Sequence, residues 1–156
     1  MNTAPGPRLI PGGLHVDARG SVSFANAFDF EGVDRFYWIH FPQTGIPRGW
    51  VGHQREQKWF VVVQGAVLMA IVRPDDWQTP RLDLPVSRFV LSAAVPRVLH
   101  VPAGHAMGMA AESQDAVMMV FSSGLIAAAG DDDFRFPADL WPIGHDRESI
   151  VERCPG

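Results

Sequence analysis

The sequence has one cysteine, no excess of positive charge and no long apolar run, and each absence excludes a class of protein. Because Cys154 is alone, no internal disulfide and no cysteine-based zinc cluster can form, which favours a reducing compartment. The formal net charge of −4 gives no basic field for DNA or RNA. No segment reaches the roughly 18 apolar residues of a membrane span, and no signal peptide is recognisable. We expect a cytoplasmic protein with no nucleic-acid or membrane partner.

Length and composition fit one domain with one hydrophobic core. The chain has 156 residues, of which 47% are hydrophobic and 19% charged. Residues 1–13 contain three prolines and three glycines, and we predict an irregular N-terminal arm that pairs, if at all, with a partner subunit. Residues 14–145 form the predicted domain, and residues 146–156 form a C-terminal tail.

Short apolar segments separated by glycine and proline predict an all-β fold. Residues 35–41 alternate, with Arg35, Tyr37 and Ile39 on one face. The dipeptide Gln64-Gly65 between two apolar runs predicts a tight hairpin turn. Only residues 124–129 suggest a helix, and a brief one. About seven or eight strands at roughly ten-residue spacing favour a sandwich or barrel, with a jelly roll as the best choice.

Residues 48–65 are the first place to look for function, because polar and ring side chains there lead directly into an apolar strand. Together with residues 102–107, this segment resembles the paired motifs of the cupin superfamily. Metal-binding cupins use three histidines and a glutamate from these motifs. At or near those places this sequence has Val51, His53, Gln57 and Met107.

The resemblance therefore implies a cupin that works without a metal or other cofactor, since valine and methionine are poor ligands for a divalent ion. An alternative places His100 and His105 with His53 around an ion. Two histidines five residues apart across a Pro-Ala-Gly turn are a weak metal spacing.

Three further segments resemble dTDP-4-dehydrorhamnose 3,5-epimerases and dTDP-4-keto-6-deoxyglucose 3,4-ketoisomerases, within the metal-independent cupins. These are Asp17-Ala18-Arg19-Gly20, Arg48-Gly49 and residues 99–104. The resemblance implies a double-stranded β-helix, a dTDP-linked 4-keto-6-deoxy sugar as substrate, and a homodimer.

The chemistry of that group needs a base beside a ketone, an acid to return the proton, and positive charge for developing oxyanions. We assign His53 as the base and Tyr37, the only tyrosine, as the acid. Because Val51 stands where the group has its base, His105 is a further catalytic candidate. For substrate binding we predict Arg19, Arg48 and Lys58 at the diphosphate, with Trp50 and His100 near the sugar or nucleobase.

Two other hypotheses stay open at this point. Val51 and Met107, at positions where the group has histidines, are compatible with a lapsed catalyst that binds a nucleotide sugar as a sensor or partner subunit. Unrelated small-molecule cupin chemistry is the remaining alternative.

Overall fold

A computed structural model describes residues 4–144, and within that range the chain forms two five-stranded antiparallel sheets and a separate hairpin. The strands are β1 (Arg8–Pro11), β2 (Gly13–Asp17), β3 (Gly20–Phe24), β4 (Arg35–Phe41), β5 (Arg48–His53), β6 (Lys58–Gln64), β7 (Ala66–Val72), β8 (Ser87–Ser92), β9 (Arg97–Val101), β10 (His105–Ala111), β11 (Ala116–Ser122) and β12 (Phe134–Arg135). One 3₁₀ helix spans Ile126–Asp132.

The first sheet has the strand order β1-β9-β6-β11-β4, and the second has the order β12-β5-β10-β7-β8. Strands β2 and β3 pair only with each other. The inner faces of the two large sheets share one apolar core, with Phe60, Leu99 and Met118 from the first sheet and Met69 and Met107 from the second. This arrangement confirms the predicted all-β jelly roll.

Strand β4 follows the predicted alternation. Arg35, Tyr37 and Ile39 are half-buried on its inner face, whereas Phe36 and Trp38 point outward and are 59% and 66% exposed. Side chains of a β-strand alternate between the two faces, so the period-two pattern alone was enough to divide them.

The predicted hairpin turn at Gln64-Gly65 is wrong. Strand β6 pairs with β9 and β11 in the first sheet, whereas β7 pairs with β8 and β10 in the second. Gly65 has a φ of 72° and marks the point at which the chain crosses between the sheets. Two adjacent apolar strands joined by glycine look alike in sequence whether they pair with each other or with distant strands.

The N-terminal arm is also less irregular than predicted, because β1 at residues 8–11 pairs in register with β9. The suggested helical turn near residues 124–129 is confirmed as the short 3₁₀ helix. The predicted tail, residues 146–156, lies outside the described residues, and the predicted domain boundaries stay predictions. In the described part of the chain, no helix is long and apolar enough to cross a membrane.

Candidate functional site

A cavity of about 970 Å³ lies between the two large sheets and is lined by strands β4, β5, β6, β10 and β12 and by the 3₁₀ helix. Its lining combines apolar and polar side chains. The apolar ones include Ile39, Val51, Phe60, Met107 and Met109, and the polar ones include Arg35, Tyr37, Arg48, His53, Glu56 and Lys58.

His53 ends strand β5 and is only 6% exposed. Its Nδ1 lies 2.6 Å from the backbone carbonyl oxygen of Asp132. A carbonyl oxygen only accepts hydrogen bonds, so this contact assigns the ring proton to Nδ1 and leaves Nε2 as the basic nitrogen. Burial lowers the pKa of His53 below its ordinary value, although the Asp132 carbonyl opposes that shift. The ring is therefore neutral at pH 7 and able to accept a proton at Nε2.

Lys58 and Tyr37 form a second proton-bearing group in the same cavity. The Lys58 ammonium donates hydrogen bonds to the Tyr37 hydroxyl at 3.1 Å and to the Ser122 hydroxyl at 3.2 Å. Lys58 is the only lysine in the sequence and is 5% exposed. A buried ammonium beside a phenol stabilises negative charge on the phenol oxygen or on a substrate oxygen bound next to it.

Sequence reasoning missed Arg35 and Glu56 as site residues. Nη2 of Arg35 lies 2.5 Å from Oε1 of Glu56, and the Ser122 hydroxyl donates to the same oxygen. Two signals were available: Arg35 shares the inner face of β4 with Tyr37, and Glu56 follows His53 by three residues. Neither signal distinguishes a cavity residue from an ordinary surface charge without the fold.

Asp132 holds the loop between β5 and β6 in place and was also missed. Its carboxylate accepts three backbone N–H groups, from Gln54 at 2.7 Å, Arg55 at 3.0 Å and Glu56 at 2.8 Å. Burial alone raises the pKa of Asp132, but these hydrogen bonds to the charged form outweigh burial and lower it. The end of the 3₁₀ helix is thereby fixed against the chain segment that carries His53 and Glu56.

Of the residues predicted from sequence, the cavity brings together Tyr37, Arg48, His53 and Lys58. Arg48 reaches it because of a register shift. Met107 of β10 pairs with Val51, but Met109 pairs with Arg48, so β5 has one extra residue there. Arg48 is exposed, and no ion pair is formed by it within residues 4–144.

Two aromatic assignments need correction because neither residue lines the cavity. Trp50 faces away from it, is 1% exposed, and donates its indole N–H to the carbonyl of Trp141 at 3.0 Å. His100 stacks on Trp59 with ring centroids 5.0 Å apart, and its Nε2 lies 2.7 Å from the Gln57 side-chain oxygen. Both residues belong to packing layers outside the barrel interior.

The two remaining candidates are also not brought to the cavity. Arg19 lies in the turn between β2 and β3, where it pairs with Asp17 at 2.6 Å and is 90% exposed. His105 shares the inward direction of Met107 but lies beyond the cavity lining, and its Nδ1 is 2.9 Å from the carbonyl of Pro102. Neither His105 nor His100 is among the residues that line the cavity.

One group in the described residues has metal-ligand chemistry: His53, Glu56 and Asp132 offer ligand atoms within 4.8 Å of one another. Several of these ligand groups already have other partners, although Oε2 of Glu56 has no hydrogen bond among the described residues. The Asp132 carboxylate accepts three backbone N–H groups, Glu56 pairs with Arg35, and Nδ1 of His53 bonds to a carbonyl. Arg35 and Lys58 already place two cations beside Glu56, at 2.5 Å and 3.7 Å from its Oε1, and their repulsion opposes a further cation, so the donor set does not fit a resident metal. The absence of a metal stays a prediction.

No protein-family model matches the chain, and no curated protein matches it in sequence. Solved structures do match. The rmlC epimerase of Mycobacterium tuberculosis superposes with a TM-score of 0.68 and 19% identity, over 87% of this chain and 71% of that one. The RmlC epimerase of Legionella pneumophila, in complex with dTDP-4-keto-L-rhamnose, gives a TM-score of 0.69 and 19% identity over 99% and 87%.

The 3,4-ketoisomerase QdtA of Thermoanaerobacterium thermosaccharolyticum, in complex with TDP, gives a TM-score of 0.65 and 17% identity over 88% of this chain and 93% of that one. These similarities cover most of each chain. They show that the described chain has the fold of RmlC-like cupins, as its resemblance in sequence implied.

Proposed function

We propose that this protein is a metal-independent isomerase or epimerase of a nucleotide-linked 4-keto-6-deoxy sugar. The observation that carries the proposal is the contact between Nδ1 of His53 and the Asp132 carbonyl oxygen, in the cavity that also holds Lys58 and Tyr37. The His53 ring is neutral, and its free Nε2 belongs to this cavity, in which Lys58 and Tyr37 are hydrogen-bonded to each other. The fold is that of epimerases and ketoisomerases, two of which are bound to TDP or a dTDP-sugar.

In the proposed reaction, Nε2 of His53 removes the proton from the carbon beside the ketone. The electron pair of the broken C–H bond forms the enolate, whose negative oxygen is stabilised by the Lys58 ammonium. Tyr37 then donates its hydroxyl proton to the enolate, either on the opposite face or at the neighbouring atom. The apolar side chains of the lining, among them Val51 and Met107, limit the access of water to the intermediate.

Arg48 is the proposed contact of the diphosphate. It is exposed at the cavity, and its guanidinium offers the fork of donors that matches phosphate oxygens. Arg135, which also lines the cavity, is instead paired with Asp133 at 2.9 Å.

A lapsed catalyst that binds the same ligand is the second candidate function. Val51 and Met107 both line the cavity, and the resemblance in sequence implies histidines at these two positions in the working enzymes. A Val51→His variant separates the two ideas, because turnover that appears only in this variant identifies the natural chain as a binding protein.

We further propose that the protein is a homodimer, because apolar residues on one hairpin have no cover within the described chain. The hairpin of β2 and β3 joins neither large sheet, and Leu14, Val16, Val22 and Phe24 on it are 40–66% exposed. Isolated two-stranded hairpins are marginally stable in water. A second copy that covers this hairpin removes those side chains from solvent. Arg19, on the same hairpin, stays a substrate-binding candidate only if it reaches the cavity of that second copy.

The experiment combines binding with proton exchange. Calorimetry measures binding of dTDP, inorganic pyrophosphate and Zn²⁺, and NMR in D₂O follows deuterium entry beside the ketone of dTDP-4-keto-6-deoxyglucose. We expect dTDP to bind, Zn²⁺ to have no effect, and exchange to fall about 10²-fold or more in His53→Gln. Glu31→Gln, at an exposed position outside both the cavity and the hairpin, is the control.

Exchange at the natural rate in His53→Gln contradicts the assigned base. Binding of Zn²⁺ that is lost in the same variant contradicts metal independence. If neither dTDP nor pyrophosphate binds, both candidate functions are wrong.

A further inference from the structure

Glu56 occupies a position between the two proton-transfer groups of the cavity. It is 8% exposed, and its backbone N–H is bonded to the Asp132 carboxylate at 2.8 Å, which fixes its place in the loop between β5 and β6. Its side chain is directed inward and lines the same cavity as Tyr37 and His53. A charged carboxylate is buried in a protein only where other groups compensate it.

The first carboxylate oxygen is fully engaged. Oε1 of Glu56 accepts from Arg35 at 2.5 Å and from the Ser122 hydroxyl, and it lies 3.7 Å from Nζ of Lys58. Ser122 and Lys58 are themselves hydrogen-bonded, so this oxygen holds the ammonium that contacts Tyr37. Removing Glu56 would leave two buried cations, Arg35 and Lys58, without their anion.

The second oxygen is different. Oε2 is buried and has no hydrogen-bond partner among the described residues, yet it lies 3.3 Å from Nδ1 of His53. In the resting protein the Nδ1 proton is used by the Asp132 carbonyl. A buried acceptor without a donor is costly, so an unused carboxylate oxygen beside an imidazole requires an explanation.

Protonation of His53 supplies that explanation. When the substrate carbon loses its proton, a C–H bond breaks, an N–H bond forms at Nε2, and the electron pair moves to the substrate oxygen. The proton on Nδ1 stays in place, and the ring becomes a cation. The closest anion to that cation is the unused oxygen of Glu56; the Asp132 carboxylate also favours the new charge, and the nearby Lys58 ammonium opposes it.

We propose that Glu56 is a positioning residue that serves both proton-transfer groups: Oε1 fixes Lys58 beside Tyr37, and Oε2 stabilises the imidazolium of His53. This inference rests on the proposed function for its catalytic meaning. The electrostatic pairing itself exists in the free protein and is measurable without substrate. The contact with Glu56 explains how His53 alone serves as a buried base, although position 51, where the resemblance implies a second histidine, is a valine.

The test is an NMR titration of the His53 ring in the free protein. In Glu56→Gln the shape is kept and the charge is lost, so the midpoint of the His53 titration moves to lower pH. In Lys58→Met an opposing cation is lost, so the midpoint moves to higher pH. Glu31→Gln, at an exposed position, is the matched control and leaves the midpoint unchanged.

Turnover provides the second readout. Glu56→Gln is expected to lower kcat about 10- to 100-fold with little change in the affinity for dTDP, because the diphosphate contact at Arg48 is untouched. An unchanged His53 midpoint in both Glu56→Gln and Lys58→Met overturns the proposal, whatever the turnover. The expected opposite shifts without turnover on any nucleotide sugar confirm the pairing and refute the proposed function instead.

Discussion

The three backbone hydrogen bonds accepted by the Asp132 carboxylate give the sharpest test of how the site is held together. The perturbation is Asp132→Asn, which keeps the size of the side chain but removes its charge and replaces one oxygen by NH₂. Whichever way the amide is turned, at least one of the three backbone N–H groups from Gln54, Arg55 and Glu56 then faces another donor. The control is Asp131→Asn, a neighbouring exposed carboxylate.

The magnitude follows from the number of bonds. A hydrogen bond to a charged group contributes about 1.5–3 kcal/mol, and the three bonds share one acceptor and are not additive. We therefore expect the free energy of unfolding to fall by about 3 kcal/mol at pH 7, and the melting temperature by roughly 6–12 °C for a chain of this length. Urea unfolding followed by tryptophan fluorescence measures the difference, and the Asp131 control is expected to stay within about 0.5 kcal/mol of the natural protein.

The pH dependence gives an independent check. The pKa of Asp132 is lower in the folded protein than its ordinary value of 3.8. As the pH falls through that ordinary value, the unfolded chain therefore takes up this proton before the folded protein does. The stabilisation by the carboxylate is therefore complete above that value and is lost as the pH drops through the lower, folded one. A stability difference between natural protein and Asp132→Asn that is absent at pH 7, or that stays constant through this acid range, refutes the reasoning.

Two further predictions concern the crossing between sheets and the assembly. Gly65→Ala places a methyl group 2.2 Å from the Ser113 hydroxyl oxygen, whereas a methyl group at Gly45, which has a φ of 78°, meets open space. Thermal melts are expected to show that each variant loses at least about 1 kcal/mol of stability and that Gly65→Ala loses more. Equal losses of stability would contradict the crowding at Gly65. Val16→Lys on the hairpin is expected to convert a dimer to a monomer in light scattering at micromolar concentration, and a natural chain with the monomer mass contradicts the proposed dimer.

Much of the fold follows from local chemistry. The alternation in residues 35–41 placed Arg35, Tyr37 and Ile39 together on one face of β4 without any tertiary information, and the fold shows that this face is the inner one. Glycine and proline placed the ends of the strands. The same local signals failed at Gly65, because the choice between pairing with the next strand and crossing to the other sheet depends on strands far away in sequence.

The candidate site was predictable only where local sequence signals were sufficient. His53 and Lys58 came from motif positions next to an apolar strand, and both line the cavity. Trp50 was misplaced because side chains of a strand point alternately to its two faces, and the sequence does not show which face meets the cavity. The register shift between β5 and β10 brings Arg48 to the cavity, whereas Trp50 packs against Trp141.

The sequence by itself determined the fold class: short alternating apolar segments separated by glycine and proline predicted an all-β jelly roll, and that prediction is confirmed. Tertiary structure alone decided which polar residues meet. Glu56 contacts Arg35 and Ser122, which lie 21 and 66 positions away in the chain. Such contacts depend on how strands from distant parts of the chain pair, and no local pattern encodes that pairing, so the buried charge cluster was visible only in the fold.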